Sequence, residues 1–136
     1  MNEFKFKFMK HTADIKFQSY GKTLSEAYEN AALAMFNVMY EGKVKRDKKR
    51  KINVKGKDLE NLLYNFLEEL LFLLDTENFF LSKIKVKIKN LKLRADLEGD
   101  DANNYKISSD VKAVTYNQMQ IKKKKDKFIC QVVLDV

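Results

Sequence analysis

One cysteine, one histidine, four glycines and no proline are almost all that this 136-residue chain offers for covalent staples, metal chelation and special backbone geometry. Each scarcity excludes something. A single thiol forms no internal disulfide, and one His with one Cys is too small a ligand set for a structural zinc site. No uninterrupted apolar run, LLFLL at residues 70–74 among them, comes near the roughly 20 residues of a membrane span. No signal-peptide pattern opens the sequence, so the expected compartment is the cytoplasm. No proline-rich linker, internal repeat or glycine-rich phosphate loop divides the chain, and 45% hydrophobic residues are enough for one core. The expectation is a single domain over 1–136.

What is abundant is lysine. Twenty-seven Lys and Arg against nineteen Asp and Glu give a net charge of +8, which speaks to association rather than to fold. Position matters more than the total. KVKRDKKRK (43–51) holds seven basic residues and one acid, and KKKKDK (122–127) holds five and one. Both read as exposed loops or strand ends, either an RNA or phosphate footprint or simply solvated hairpin tips. KIKVKIK (83–89) differs, because its lysines alternate with Ile84, Val86 and Ile88 and so form the wet face of a strand, where edge lysines also discourage sheet-to-sheet aggregation.

Periodicity predicts an α+β fold in two layers, with two helices packed on one face of a mostly antiparallel sheet. EFKFKFMKH sets Phe4, Phe6 and Phe8 on one face at period two, and DIKFQSYG continues with Ile15 and Phe17 facing in. TLSE (23–26) is a capping-box sequence opening a helix to about Tyr40, with an apolar stripe of Leu24, Ala27, Tyr28, Ala31, Ala32, Met35 and Met39. A strand around KINVKG follows. Asp58 then N-caps a second helix whose stripe runs from Leu59 through Phe66 to Leu74, with Glu60, Glu68 and Glu69 on the wet side. From Phe79 the period returns to two, and a phase change at Lys89-Asn90 predicts a two-residue hairpin turn there, setting Ile88 opposite Leu91. LEGDDANN reads as a loop, and YKISSDVKAVTY and DKFICQVVLDV as two further strands. In the last of these, alternation places Cys130 beside Phe128, Val132 and Leu134, a buried and inert thiol.

Two aspartates stand out on chemical grounds. Asp14 opens the second strand and points away from Ile15 and Phe17, while Asp135 lies one residue before the end of the last strand and points away from Leu134. If the two meet, with Val136 as the terminal residue, up to three carboxylates share one place. Like charges at short range raise one another's pKa, so a hard divalent cation, Ca²⁺ or Mg²⁺, is the natural neutraliser of such an all-oxygen set. The alternatives are a surface salt bridge or a turn role for each Asp, and a local structural hydrogen bond for His11.

HTADI (11–15), LLYNFLEELLFLLD (62–75), VKAVTY (111–116) and VVLDV (132–136) follow one another in the order and spacing of the archease family, which this chain resembles over essentially its whole length. The resemblance implies an accessory protein, not itself an enzyme, that activates the RtcB-type RNA ligase. That ligase joins RNA ends bearing a 2′,3′-cyclic phosphate or 3′-phosphate to a 5′-hydroxyl in tRNA splicing and RNA repair. The activator's implied part is to promote guanylylation of the ligase's active-site histidine and to support multiple turnover. The resemblance also makes Asp14 and Asp135 an acidic metal site for Ca²⁺ or Mg²⁺, with a Val136 oxygen as a further ligand, and gives His11 and Lys112 an orienting or partner-contacting role. Lys16 and Asn117 depart from the pattern, which would put Gly after HTADI and His after KAVTY; the first questions the local turn geometry and the second removes a ligand or contact. Two other classes stay open. A basic RNA-binding or chaperone module would use the lysine runs, and a metal-dependent hydrolase would need a water-activating base for which His11 is the only imidazole.

Overall fold

Alternating strands and two striped helices resolve, in the computed structural model, into a sequence of elements whose pairing is antiparallel throughout; residues 5–9 and 14–136 are described. Strands β1 (Phe6–Met9) and β2 (Ile15–Gly21) lead into helix α1 (Leu24–Met39). Strand β3 (Lys48–Lys55) precedes helix α2 (Leu59–Glu77), and β4 (Phe79–Lys89), β5 (Lys92–Asp101), β6 (Ala113–Lys124) and β7 (Lys127–Asp135) complete the chain. The α+β class is as the periodicity required. The strands divide into two sheets, ordered β1-β2-β7-β6 and β3-β5-β4. Helix α1 packs on β2 and β7 of the first sheet and on β4 of the second, while α2 packs on β6 and on all three strands of the second.

Both helices begin where their caps predict. The Thr23 hydroxyl accepts from the Glu26 amide at 3.1 Å, and the Glu26 carboxylate reaches back to the Lys22 amide, one residue before the position a capping box serves. The Asp58 carboxylate accepts from the Asn61 amide at 2.7 Å. Helix α2 ends at Asn78, which takes the left-handed conformation (φ 57°) that Asn tolerates at a C-terminus. The predicted stripes are core: Ala27, Tyr28, Ala31, Ala32 and Met35 from α1, and Leu62, Leu63, Phe66, Leu67 and Leu70 from α2, are all within 1% of full burial. Each fully buried leucine contributes about 1.5–3 kcal/mol. Tyr28 keeps its hydroxyl satisfied by donating to the Leu59 carbonyl at 2.5 Å. Cys130 is buried as expected, and burial pushes its thiol up to about 12, so no thiolate forms near neutrality.

Three expectations shift. The β4–β5 hairpin exists, but its turn is Asn90-Leu91, both at positive φ (53° and 59°), so Ile88 pairs with Leu93 rather than facing Leu91. Type I′ geometry demands positive φ at both central residues, and this hairpin accepts a leucine there. Residues 97–101 are not loop but the end of β5, which continues to Asp101 before a 3₁₀ turn over Ala102–Asn104. Conversely, the sixth strand starts only at Ala113, because 105–112 is pinned irregularly: the Ser108 amide donates to the Met39 carbonyl and the Tyr105 hydroxyl to Asp100. Phe6 and Phe8 do share contact, edge to face at 5.6 Å, on an edge strand that leaves Phe8 exposed; Phe4 lies outside the described residues. Among the described residues no helix is long and apolar enough to cross a membrane.

Candidate functional site

Three strands of the first sheet finish together, and their registers decide which residues meet. Leu134 of β7 pairs with Ile15 of β2 on one side and with Val114 of β6 on the other. Continuing the β2–β7 register by one position sets Asp14 across from Asp135, whose other neighbour is Ala113. The Lys112 amide donates to the Asp135 carbonyl at 2.8 Å, which extends the ladder to that corner. Asp14, Lys112, Asp135 and Val136, scattered through the sequence, therefore share one end of one sheet. Burial changes abruptly there: every residue from Cys130 to Leu134 is buried, Asp135 is exposed, and Val136 is half-buried against the core.

This corner offers oxygen. Two carboxylates and the main-chain oxygen of Val136 suit a hard divalent ion, which accepts water for the remaining positions. Among the described residues no group of three or more His, Cys, Asp or Glu is placed to hold a metal ion. Any cation held here would thus depend on main-chain and water oxygens beside the two aspartates. His11 lies outside the described residues.

The surroundings contain groups that the sequence did not single out. Glu68, read as solvent-facing, is half-buried, and its carboxylate accepts from the Val114 amide at 2.9 Å, clamping α2 onto the start of β6. Just beyond, β6 bulges: Thr115 pairs with Val133 and Gln120 with Gln131, so Tyr116 to Met119 face one residue of β7. Gln118 sits at φ 55° in this bulge. Its carbonyl accepts from Gln131 Nε2 and its side-chain oxygen from Lys16 Nζ, each at 2.8 Å. The bulge turns Tyr116 outward, stacked on Tyr64 with centroids 4.2 Å apart and planes 8° from parallel, its hydroxyl accepting from Asn61 Nδ2. Burial, then Glu68 and Tyr116, push the Tyr64 hydroxyl above its ordinary range. The only hint in the sequence was NQMQ (117–120), a polar stretch without alternation.

Both departures from the family pattern fall beside this bulge. Lys16 is a regular strand residue paired with Val133, so no turn at that position calls for glycine. Asn117 is exposed within the bulge.

A small α+β protein with two antiparallel sheets, two helices across them and an acidic corner at the end of the first sheet is the class defined so far. The model of the Archease protein family (MTH1598/TM1083) matches residues 6–136, and the chain belongs to the archease family. Protein archease of Sulfurisphaera tokodaii is 43% identical, the match covering 97% of this chain and 99% of that one. Protein archease of Methanosarcina barkeri is 41% identical over 96% and 95% of the two chains. Among solved structures, the solution structure of Methanobacterium thermoautotrophicum protein 1598 superposes with a TM-score of 0.82 at 38% identity, covering 97% of this chain and 99% of that one. A crystal structure from Thermotoga maritima, described as an archease and possible chaperone, shares the fold with a TM-score of 0.62 at 17% identity, over the whole of both chains.

Proposed function

We propose that this chain is the accessory activator of an RtcB-type RNA ligase, acting in the cytoplasm on the ligase rather than on RNA ends, and performing no chemistry of its own. What supports this reading is membership of the archease family together with the β2–β7 register, which, continued one position beyond its last pair, sets Asp14 across from Asp135. Two carboxylates set side by side repel unless a cation or a basic group joins them. In this reading Asp14, Asp135 and a Val136 oxygen hold Ca²⁺ or Mg²⁺, and the Lys112 amide fixes the main chain of Asp135 so that its side chain stays at the rim. When bound, the ion supplies neutralisation of phosphate charge, the main electrostatic need of nucleotidyl transfer. The chain's own residues present that charge at an exposed corner, where a partner protein can reach it. In this reading Lys112, at the corner, and His11, three residues before Asp14 in the sequence, serve as partner contacts. Description of the Thermotoga relative as a possible chaperone fits a protein that works by touching another protein.

The test is multiple-turnover RNA ligation by the cognate ligase with GTP and a divalent metal, with and without this protein. Wild type stimulates, and Asp14→Ala and Asp135→Ala fold but do not. An active ligase that gains nothing from the wild-type chain would refute the assignment. Direct titration of Ca²⁺ and Mg²⁺ against the same three proteins separates loss of metal from loss of partner binding.

A further inference from the structure

The opposite end of the same strands carries the opposite charge. Where β2 runs into α1, a groove of about 1930 Å³ is bounded by the β6–β7 hairpin, by α1, and by β4 with the loop that precedes β3. Eight lysine or arginine residues line it against three acids. Two of those acids are already engaged, Glu26 by the Lys22 amide at 3.0 Å and Glu29 by the Val86 amide at 2.8 Å. The cations come from distant parts of the sequence: Lys22 after β2, Arg46 before β3, Lys83 in β4, and Lys124, Lys125 and Lys127 at the hairpin, all exposed. Lys127 lies 4.9 Å over the Tyr20 ring, which holds that ammonium at the groove wall.

We propose that this groove binds the sugar-phosphate backbone of a single-stranded nucleic acid. Cations on facing walls raise the local potential more than the same charges on a convex surface, and a groove that tracks the backbone is how strands are held without regard to sequence. A protein partner fits poorly, because interface cores are depleted of lysine and built on apolar or aromatic anchors, whereas the apolar residues here are largely covered: Ile84 is 7% exposed, and Phe6, Leu33 and Ile129 are half-buried. The groove involves neither Asp14 nor Asp135, so it stands or falls independently of the ligase reading.

Fluorescence anisotropy of the full chain with labelled 12-nucleotide oligouridylate and oligothymidylate, from 25 to 200 mM KCl, tests it. Binding of RNA, DNA or both is expected, tightening as salt falls, the two probes distinguishing a 2′-hydroxyl preference from pure backbone binding. Each phosphate contact on a single strand contributes about 0.7 to the slope of log K against log salt, so the triple variant R46A/K83A/K125A should flatten it by about 2 and weaken binding by about 100-fold at 100 mM. A control removing the same charge outside the groove, K49A/K51A/K87A, should cost far less. The proposal is overturned if neither oligonucleotide binds at 25 mM, if the control triple is as damaging as the groove triple, or if polyglutamate of equal charge competes as well as RNA, which would assign the groove to an acidic protein.

Discussion

At one end of β2 and β7 the register, continued by one position, sets two aspartates across from each other; at the other end, about 20 Å away along a seven-residue strand, lysines from four separate segments surround a groove. The acidic corner is specified by register. A one-residue slip of β7 against β2 would take Asp135 away from its place across from Asp14, so the corner is tied to the folded sheet. The basic groove is specified by composition at exposed positions, and it tolerates small shifts because charge acts over about 10 Å at ordinary salt. A site of the first kind is lost with one side chain, and a site of the second kind erodes one side chain at a time.

The largest expected effect follows from that contrast. Asp14→Ala or Asp135→Ala alone should return ligation to the unstimulated rate, with oligonucleotide binding unchanged. If either substitution also weakened oligonucleotide binding, the two ends would not be independent. Next comes the groove, where a single change such as Lys125→Ala should cost only about fivefold in affinity at 100 mM salt, one phosphate contact's share, against the roughly 100-fold loss of the triple variant. A single lysine accounting for most of the binding would mean a point contact rather than a field, measured by the same anisotropy titrations.

A smaller effect probes how the corner is built. Glu68→Ala leaves the amide of Val114, itself 3% exposed, without its carboxylate acceptor beside the acidic corner. Loss of a charge-assisted hydrogen bond at a covered amide costs about 2 kcal/mol, read as a lower urea midpoint with unchanged slope. Glu68→Gln should recover most of it, since an amide oxygen still accepts. Ligase stimulation by the glutamine variant at a temperature where it remains folded should match wild type, because Glu68 holds β6 rather than a cation.

How far the sequence foretold these two ends differs in the same way. Local signals were legible: the caps at Thr23 and Asp58, the stripes of both helices, the alternation of KIKVKIK and the burial of Cys130 all depend on near neighbours in the chain. The residues of the acidic corner were legible too, through the resemblance and through their places at strand ends, but their meeting was not, because the register of β2 on β7 joins positions some 120 residues apart. The β4–β5 turn was placed one residue early because the left-handed tolerance of Asn90 suits either position of the pair, and nothing local nominates Leu91 for the other. The bulge at 116–119 was hidden by the absence of glycine. Of the two basic runs, the sequence could not tell which members would share a groove: Arg46 and the hairpin lysines do, while Lys48, Lys49 and Lys51 lie on β3 outside it.

The smallest effect concerns the tether of Arg46. Tyr105 links two segments at once, its hydroxyl donating to Asp100 Oδ2 at 2.7 Å and accepting from the amide of Lys45, Arg46's neighbour, at 2.8 Å. The hydrogen bond from Tyr105 is the largest of the influences that hold the Asp100 carboxyl below its ordinary range, joined by the Asp101 amide and Asn104. A depressed folded-state pKa adds stability that is present above the unfolded value and is lost as pH falls through the folded one. Tyr105→Phe should therefore be more destabilising at pH 7 than in acid, the difference shrinking as pH falls through the folded-state pKa of Asp100, below which the Lys45 contact is what chiefly separates the two proteins. Oligonucleotide affinity at pH 7 should fall by no more than about fivefold, the share of one phosphate contact, because releasing the Lys45 amide frees the loop without removing the Arg46 charge. A pH-independent stability difference in paired urea titrations would show that the aspartate contact contributes nothing, and that Tyr105 acts only through the loop.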